Sequence, residues 1–140
     1  MKPERISAIM TKNVVCVSPN QNILDVKHIF EKRDFHPHIP VTENNKLIGM
    51  ISLIDFMYRI EGAGLDDKND VYNKLLVKDI MTTNPFFYNP NESIENVAVK
   101  LSKGRYRAIP IVDHDSIVGI VSTADIIKYY LENRNWNISE

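Results

Sequence analysis

One feature restricts this chain more than any other: it says nearly the same thing twice. Met10-Thr11 recurs as Met81-Thr82, Asn13 as Asn84, Pro19-Asn20 as Pro90-Asn91, Ile23 as Ile94 and Val26 as Val97, all 71 positions apart. One residue is then lost from the spacing. Ile39-Pro40 returns as Ile109-Pro110, Gly49 as Gly119, Ser52 as Ser122 and Asp55 as Asp125, 70 positions apart. Matches in this order across both halves mark a duplicated structural unit.

Each copy has the same punctuation. A short apolar strand (14–17; 86–88) runs into Ser18-Pro19-Asn20-Gln21 or Asn89-Pro90-Asn91-Glu92. Both tetrads carry a capping residue, a proline and an acceptor suited to a helix N-terminus, with Ser93 an equally good cap one turn later. Ile23, Val26 and Phe30, and Ile94, Val97, Ala98 and Leu101, then follow at helical spacing. Next comes an Ile-Pro strand, whose proline indicates an edge or a strand start. A polar turn and a third strand (47–51; 117–121) follow, leading straight into a helix that begins at Ser52 or Ser122. The expected fold is therefore α+β and sandwich-like, with two β-α-β-β-α repeats. The first is expected over 1–60 and the second over 77–132, with a connector at 61–76 and a polar tail at 133–140. About 70 residues bury too little apolar surface to fold well alone, so the copies are expected to pack around a pseudo-twofold axis.

With 140 residues, 44% of them apolar and 25% charged, the chain has the composition of a globular protein. A net charge of −1 offers no basic excess for sequence-independent nucleic-acid binding. No stretch is long enough to span a bilayer, and no apolar run follows the N-terminus, so a cytoplasmic location is expected. Cys16 is the only cysteine and reads as a small buried hydrophobe within Val14-Val15-Cys16-Val17.

The repeated signature resembles that of the CBS domain, which occurs as a tandem pair. It consists of the leading Met-Thr, the Ile-Pro-Ile/Val strand, and Gly49-Met50-Ile51-Ser52-Leu53-Ile54-Asp55 or Gly119-Ile120-Val121-Ser122-Thr123-Ala124-Asp125. The resemblance covers about residues 6–60 and 77–130. It implies a regulatory, signalling module that binds adenosine-containing ligands (AMP, ADP, ATP or S-adenosylmethionine) in clefts between the copies. It also implies a homodimer, a regulated protein that the sequence does not name, and no required cofactor. Further implied are a phosphate-binding basic residue just before the Ile-Pro strand, and adenine recognition beside each copy's first strand, at Asn13-Val14 and Pro85-Phe86.

Ser-x-x-Asp at a strand-to-helix junction has two readings. In one it caps the helix, with the hydroxyl accepting from a backbone N–H. In the other, the carboxylates of Asp55 and Asp125 accept from ribose hydroxyls, while Ser52, Ser122 and Thr123 face phosphate at a helix N-terminus. Arg107 is the basic candidate in the second copy, suited to phosphate by its planar fork of donors. The first copy has Phe35-His36-Pro37-His38 there, and His38 is only partly charged at neutral pH. The sites are accordingly expected to be unequal, with the Ser52–Asp55 cleft drawing on Arg107 and the other left with His38. His36 and His38 lack a third ligand at recognisable spacing, so no metal site is expected. No nucleophile–base pattern or phosphate-binding loop appears, and the symmetry of Asp55 and Asp125 suggests two pockets rather than an enzyme. The alternative is a scaffold or dimerisation module whose Ser-x-x-Asp pairs only cap helices.

Overall fold

A computed structural model describes residues 4–32 and 37–133. His36 and Trp136 lie outside the described residues. The fold is a mixture of helices and antiparallel strand pairs, as the repeat implies, and it divides into two compact units.

The first unit is Val15–Pro85 with Asp115–Ile117. It holds α1 (Ile23–Phe30), β1 (His38–Glu43), β2 (Lys46–Ser52), α2 (Leu53–Arg59), α3 (Val71–Lys74), α4 (Val77–Ile80) and β3 (Thr82–Thr83). β1 and β2 form a hairpin in which His38 lies opposite Ser52 and Pro40 opposite Met50. Asn44 and Asn45 turn it, both with positive φ, a conformation asparagine tolerates better than most residues. Lys46 also bridges to Ser116 within this unit. Ile23, Val26 and Phe30 supply the buried stripe of α1 that their spacing predicts, and they pack with Ile39, Val41, Ile51, Phe56 and Tyr72. Each such residue, fully buried, contributes about 1.5–3 kcal/mol.

The second unit comprises the described residues of Met1–Val14, Phe86–His114 and Val118–Glu140. It holds α5 (Ile94–Ser102), β4 (Ala108–Asp113), most of β5 (Ser116–Ser122) and α6 (Thr123–Glu132). α5 packs on α6, and Ile94, Val97 and Leu101 meet Ile109, Ile111 and Val121 in its core.

Two sequence expectations change. The first strand of each copy shrinks to one parallel bridge, Val17 with Val41 and Tyr88 with Ile111. Pro19 and Pro90 follow within two residues and cannot donate to a ladder, so pairing stops there. The helices begin at Ile23 and Ile94, one turn after the prolines, with Asn22 as one N-cap and Ser93, the later of the two caps the sequence offers, as the other. The backbone of those turns is already engaged. Val77 and Lys78 donate to the carbonyls of Gln21 and Pro19, and Ile23 donates to Leu75. In the other unit Ile6 and Ser7 donate to Glu92 and Pro90, and Ile94 donates to Glu4.

Those bonds also place the repeated Met-Thr. The segment that leads each copy in sequence folds into the unit built from the other copy. Met81 sits on Gly49, where an added Cβ would lie 2.6 Å from its Sδ and 3.0 Å from the Thr82 carbonyl oxygen. Met10 sits on Gly119 in the same way, at 2.5 Å and 3.1 Å from the corresponding atoms. The repeated glycine is thus a seat for the repeated methionine, requiring close approach rather than unusual dihedrals. Gly119→Ala should lower stability by about 1–3 kcal/mol through overpacking. Adding Met10→Ala should recover part of that in a urea titration, because the crowded side chain is then gone.

Candidate functional site

The strand-to-helix junctions are built alike but finished differently. In the first unit β2 ends at Ser52, the N-cap of α2, and Ser52 Oγ accepts from the backbone N–H of Asp55 at 3.1 Å. The N–H of Leu53 is held by the Pro37 carbonyl at 2.8 Å. His38, opposite Ser52 in the hairpin register, therefore stands at this junction. Among the described residues, the Asp55 carboxylate accepts no hydrogen bond and forms no ion pair.

In the second unit Ser122 Oγ accepts from Asp125 N–H at 3.2 Å, and Asp125 Oδ2 accepts from Ser122 N–H at 2.9 Å. That completes a capping box, and one carboxylate oxygen is committed to it. Thr123 donates through its N–H (3.1 Å) and its hydroxyl (3.4 Å) to the Arg107 carbonyl. The backbone thus joins Arg107 to the Ser122–Asp125 junction. Its guanidinium is exposed and makes no ion pair or hydrogen bond among the described residues.

The candidate base-binding residues fall less uniformly. Asn13 is exposed with φ at +57°, and its repeat Asn84 has φ at +49°. A left-handed turn after Met-Thr is reason enough for asparagine at both positions. Val14 and Pro85 are half-buried. Phe86 is half-buried and stacks on Tyr106, with centroids 5.5 Å apart and planes at 23°, while Tyr88 meets it edge-on at 4.9 Å. The Lys100 ammonium lies 4.4 Å from the Phe86 ring centroid and 5.7 Å from that of Tyr106. Tyr106 was not singled out from the sequence. The signal for it was an aromatic residue between two arginines, beside the Ile-Pro strand.

A second group missed in the sequence surrounds Lys27, which is only 3% exposed. Its ammonium bonds Asp67 at 2.6 Å and Glu31 at 2.9 Å, and lies 5.4 Å from the Tyr72 ring centroid. His28 Nε2 approaches the other Asp67 oxygen at 2.8 Å. His28, Glu31 and Asp67 could together face a metal ion, but the Lys27 ammonium is already bonded to both carboxylates. These bonds hold the Lys27 pKa above the ordinary lysine value and that of Asp67 below the usual carboxylate range. Cys16 is half-buried, not the fully buried residue the sequence suggests; burial pushes its thiol pKa up, partly offset by its hydrogen bond to Thr42.

The sequence model of the CBS domain matches residues 6–62 and 77–132. The CBS domain-containing protein YhcV of Bacillus subtilis is 31% identical over 126 residues, covering 90% of this chain and 85% of YhcV. Among solved structures, the CBS domain pair of protein MJ0100 in complex with 5′-methylthioadenosine and S-adenosyl-L-methionine superposes with a TM-score of 0.78 at 25% identity. That match covers 95% of this chain and all of the other. CBSX2 in complex with AMP shares the fold at a TM-score of 0.77 and 20% identity, covering 91% and 96%.

Proposed function

The chain belongs to the CBS domain family, with two copies in tandem, and from that premise we propose that it is a regulatory module that senses an adenosine-containing ligand. The observation that carries this reading is the Asp55 carboxylate. Among the described residues it has no protein partner, and its oxygens are not buried, so it is available to accept from a ligand. Two neighbouring ribose hydroxyls would satisfy it. Asp125 has one oxygen already committed to its cap, so the two junctions are unequal and Ser52–Asp55 is the better ribose site. In the other unit, Arg107 is exposed beside the Ser122–Asp125 junction, where its charge suits a phosphorylated ligand. The adenosine compounds bound by the MJ0100 pair support this ligand class.

The module is not catalytic in this reading. Ligand binding shifts an equilibrium between two arrangements, which requires unequal affinity for the two, and a partner protein reads the shift. A homodimer is the proposed assembly. Ile54, Met57 and Tyr58 on α2, and Ile127, Tyr130 and Leu131 on α6, leave large apolar side chains exposed, as at protein–protein contacts. The single thiol suits a reducing, cytoplasmic setting.

The completed capping box at Asp125 favours the scaffold alternative for that junction. A thermal-shift panel of AMP, ADP, ATP and S-adenosylmethionine separates the readings. At a hundred times its Kd, a true ligand should stabilise the fold by about 2.7 kcal/mol. That corresponds to a rise in Tm of roughly 5–15 °C for a chain of this size. No shift with any of the four at millimolar concentration leaves the scaffold reading standing and removes the sensor.

A further inference from the structure

We propose that Met10 and Met81 are a redox-sensitive clasp: oxidation of either thioether to the sulfoxide unseats its Met-Thr leader and loosens the unit on which that leader rests. The proposal goes beyond the adenosine reading and does not depend on which ligand the chain binds.

These two sulfurs are placed unlike that of any ordinary surface methionine. A Cβ added to Gly119 would lie 2.5 Å from Met10 Sδ, and one added to Gly49 would lie 2.6 Å from Met81 Sδ. Each sulfur therefore rests on main chain, which cannot swing aside as a flexible side chain can. Beside each seat is a carbonyl oxygen, that of Thr11 or Thr82, at 3.1 Å and 3.0 Å from the same two points. Both methionines are only half-buried, so a small oxidant can reach them. Met57, by contrast, is 59% exposed on α2 and meets no glycine in this way.

The oxidant is a hydroperoxide. With hydrogen peroxide the O–O bond breaks, one oxygen atom bonds to sulfur, and the other leaves as water. The sulfur gives up an electron pair and the peroxide takes it, converting a flexible apolar side chain into a polar one. The new oxygen is a hydrogen-bond acceptor, and the seat has no donor to offer it. Thr11 N–H already donates to the Ile120 carbonyl at 2.8 Å, and Ile120 N–H returns a bond to the Thr11 carbonyl at 3.0 Å. In the other seat Thr82 and Thr83 pair with Met50 and Gly49 as an antiparallel ladder. An acceptor set against a carbonyl oxygen without a donor is disfavoured, so the sulfoxide turns out to water and the close fit on glycine is lost. The leaders carry core residues with them. Ile6, with no exposed surface, lies four residues before Met10 in the core that Met10 packs against, and Val77 and Ile80 directly precede Met81 in the other. Unseating either methionine thus opens a core, and sulfoxide reduction closes it again.

The test is urea titration of the full chain before and after hydrogen peroxide, in a Cys16→Ser background so that the thiol takes no part. Peptide mass spectrometry locates the added oxygen. Oxidation at Met10 and Met81 should lower the urea midpoint by about 1 M, and methionine sulfoxide reductase should restore it. Met57→Leu should leave the whole loss in place. The double variant Met10→Leu/Met81→Leu, with Met50 and Met57 intact, should abolish it. Should that variant fold poorly, norleucine in place of every methionine keeps the side-chain shape without the sulfur and should make the midpoint indifferent to peroxide. The clasp is overturned if Met10 and Met81 are oxidised with no change in midpoint, or if they stay unoxidised while Met57 reacts. It is equally overturned if the double variant or the norleucine protein loses as much stability as the parent.

Discussion

Asp55→Ala should weaken binding of an adenosine ligand by about ten- to a hundredfold while scarcely changing stability, and Asp125→Ala should do the reverse. The reason is how the two carboxylates are engaged. The Asp55 carboxylate holds nothing among the described residues, so removing it breaks no side-chain bond within them. A carboxylate accepting from ribose hydroxyls makes charge-assisted bonds, each contributing about 1.5–3 kcal/mol. Asp125 accepts from Ser122 N–H at 2.9 Å and offsets the positive end of α6. Losing that cap costs about 1 kcal/mol of stability. Urea titration paired with isothermal titration measures both quantities on both variants. Equal losses of affinity would mean that the cap does not distinguish the sites.

The second large effect concerns Lys27. Truncation to alanine should cost about 2–4 kcal/mol, because the stem of Lys27 fills space beside Tyr72, a residue with no exposed surface. Lys27→Met keeps the stem and should stay much closer to wild type, since burying a charge offsets most of what its pairing provides. The two variants separate packing from charge.

pH gives the complementary view. The Asp67 pKa is depressed, chiefly by its bond to Lys27 and then by that to His28. Its contribution is thus present above the ordinary carboxylate pKa, about 3.9, and lost as pH falls through its lower folded value. The Lys27 pKa is raised, chiefly by Asp67 and then by Glu31. That contribution is complete below the ordinary lysine pKa, about 10.4, and lost as pH rises through the higher folded value. The contribution of this pair to Tm should therefore be constant between these limits and fall on either side, and in Lys27→Met both falls should be shallower. Identical pH profiles for the two proteins would show that the pair carries no linkage.

These residues also mark where sequence reasoning runs out. The helix stripes Ile23-Val26-Phe30 and Ile94-Val97-Leu101 were legible because burial on one face of a helix imposes a period. The Ser caps were legible because an N-cap is a local bond, spanning three residues. Lys27 was not: its spacing from Glu31 is that of any surface pair, and Asp67, 40 positions on, gives no local sign. Nor could a one-dimensional pattern tell that Asp125 closes a capping box while Asp55 does not. The motif is identical, and the difference lies in carboxylate orientations set by packing.

The repeat itself, the elements it encodes, the core faces and the candidate junctions were determined by sequence alone, because they follow from local propensity and periodicity. The tertiary structure decided that each Met-Thr leader serves the other copy's unit, with Met10 on Gly119 and Met81 on Gly49. It also decided which carboxylate is committed to a helix cap and which ring covers Phe86. Those outcomes depend on contacts between residues far apart in the chain. Such contacts are chosen by the free energy of the packed whole, and identical local motifs can settle differently within it.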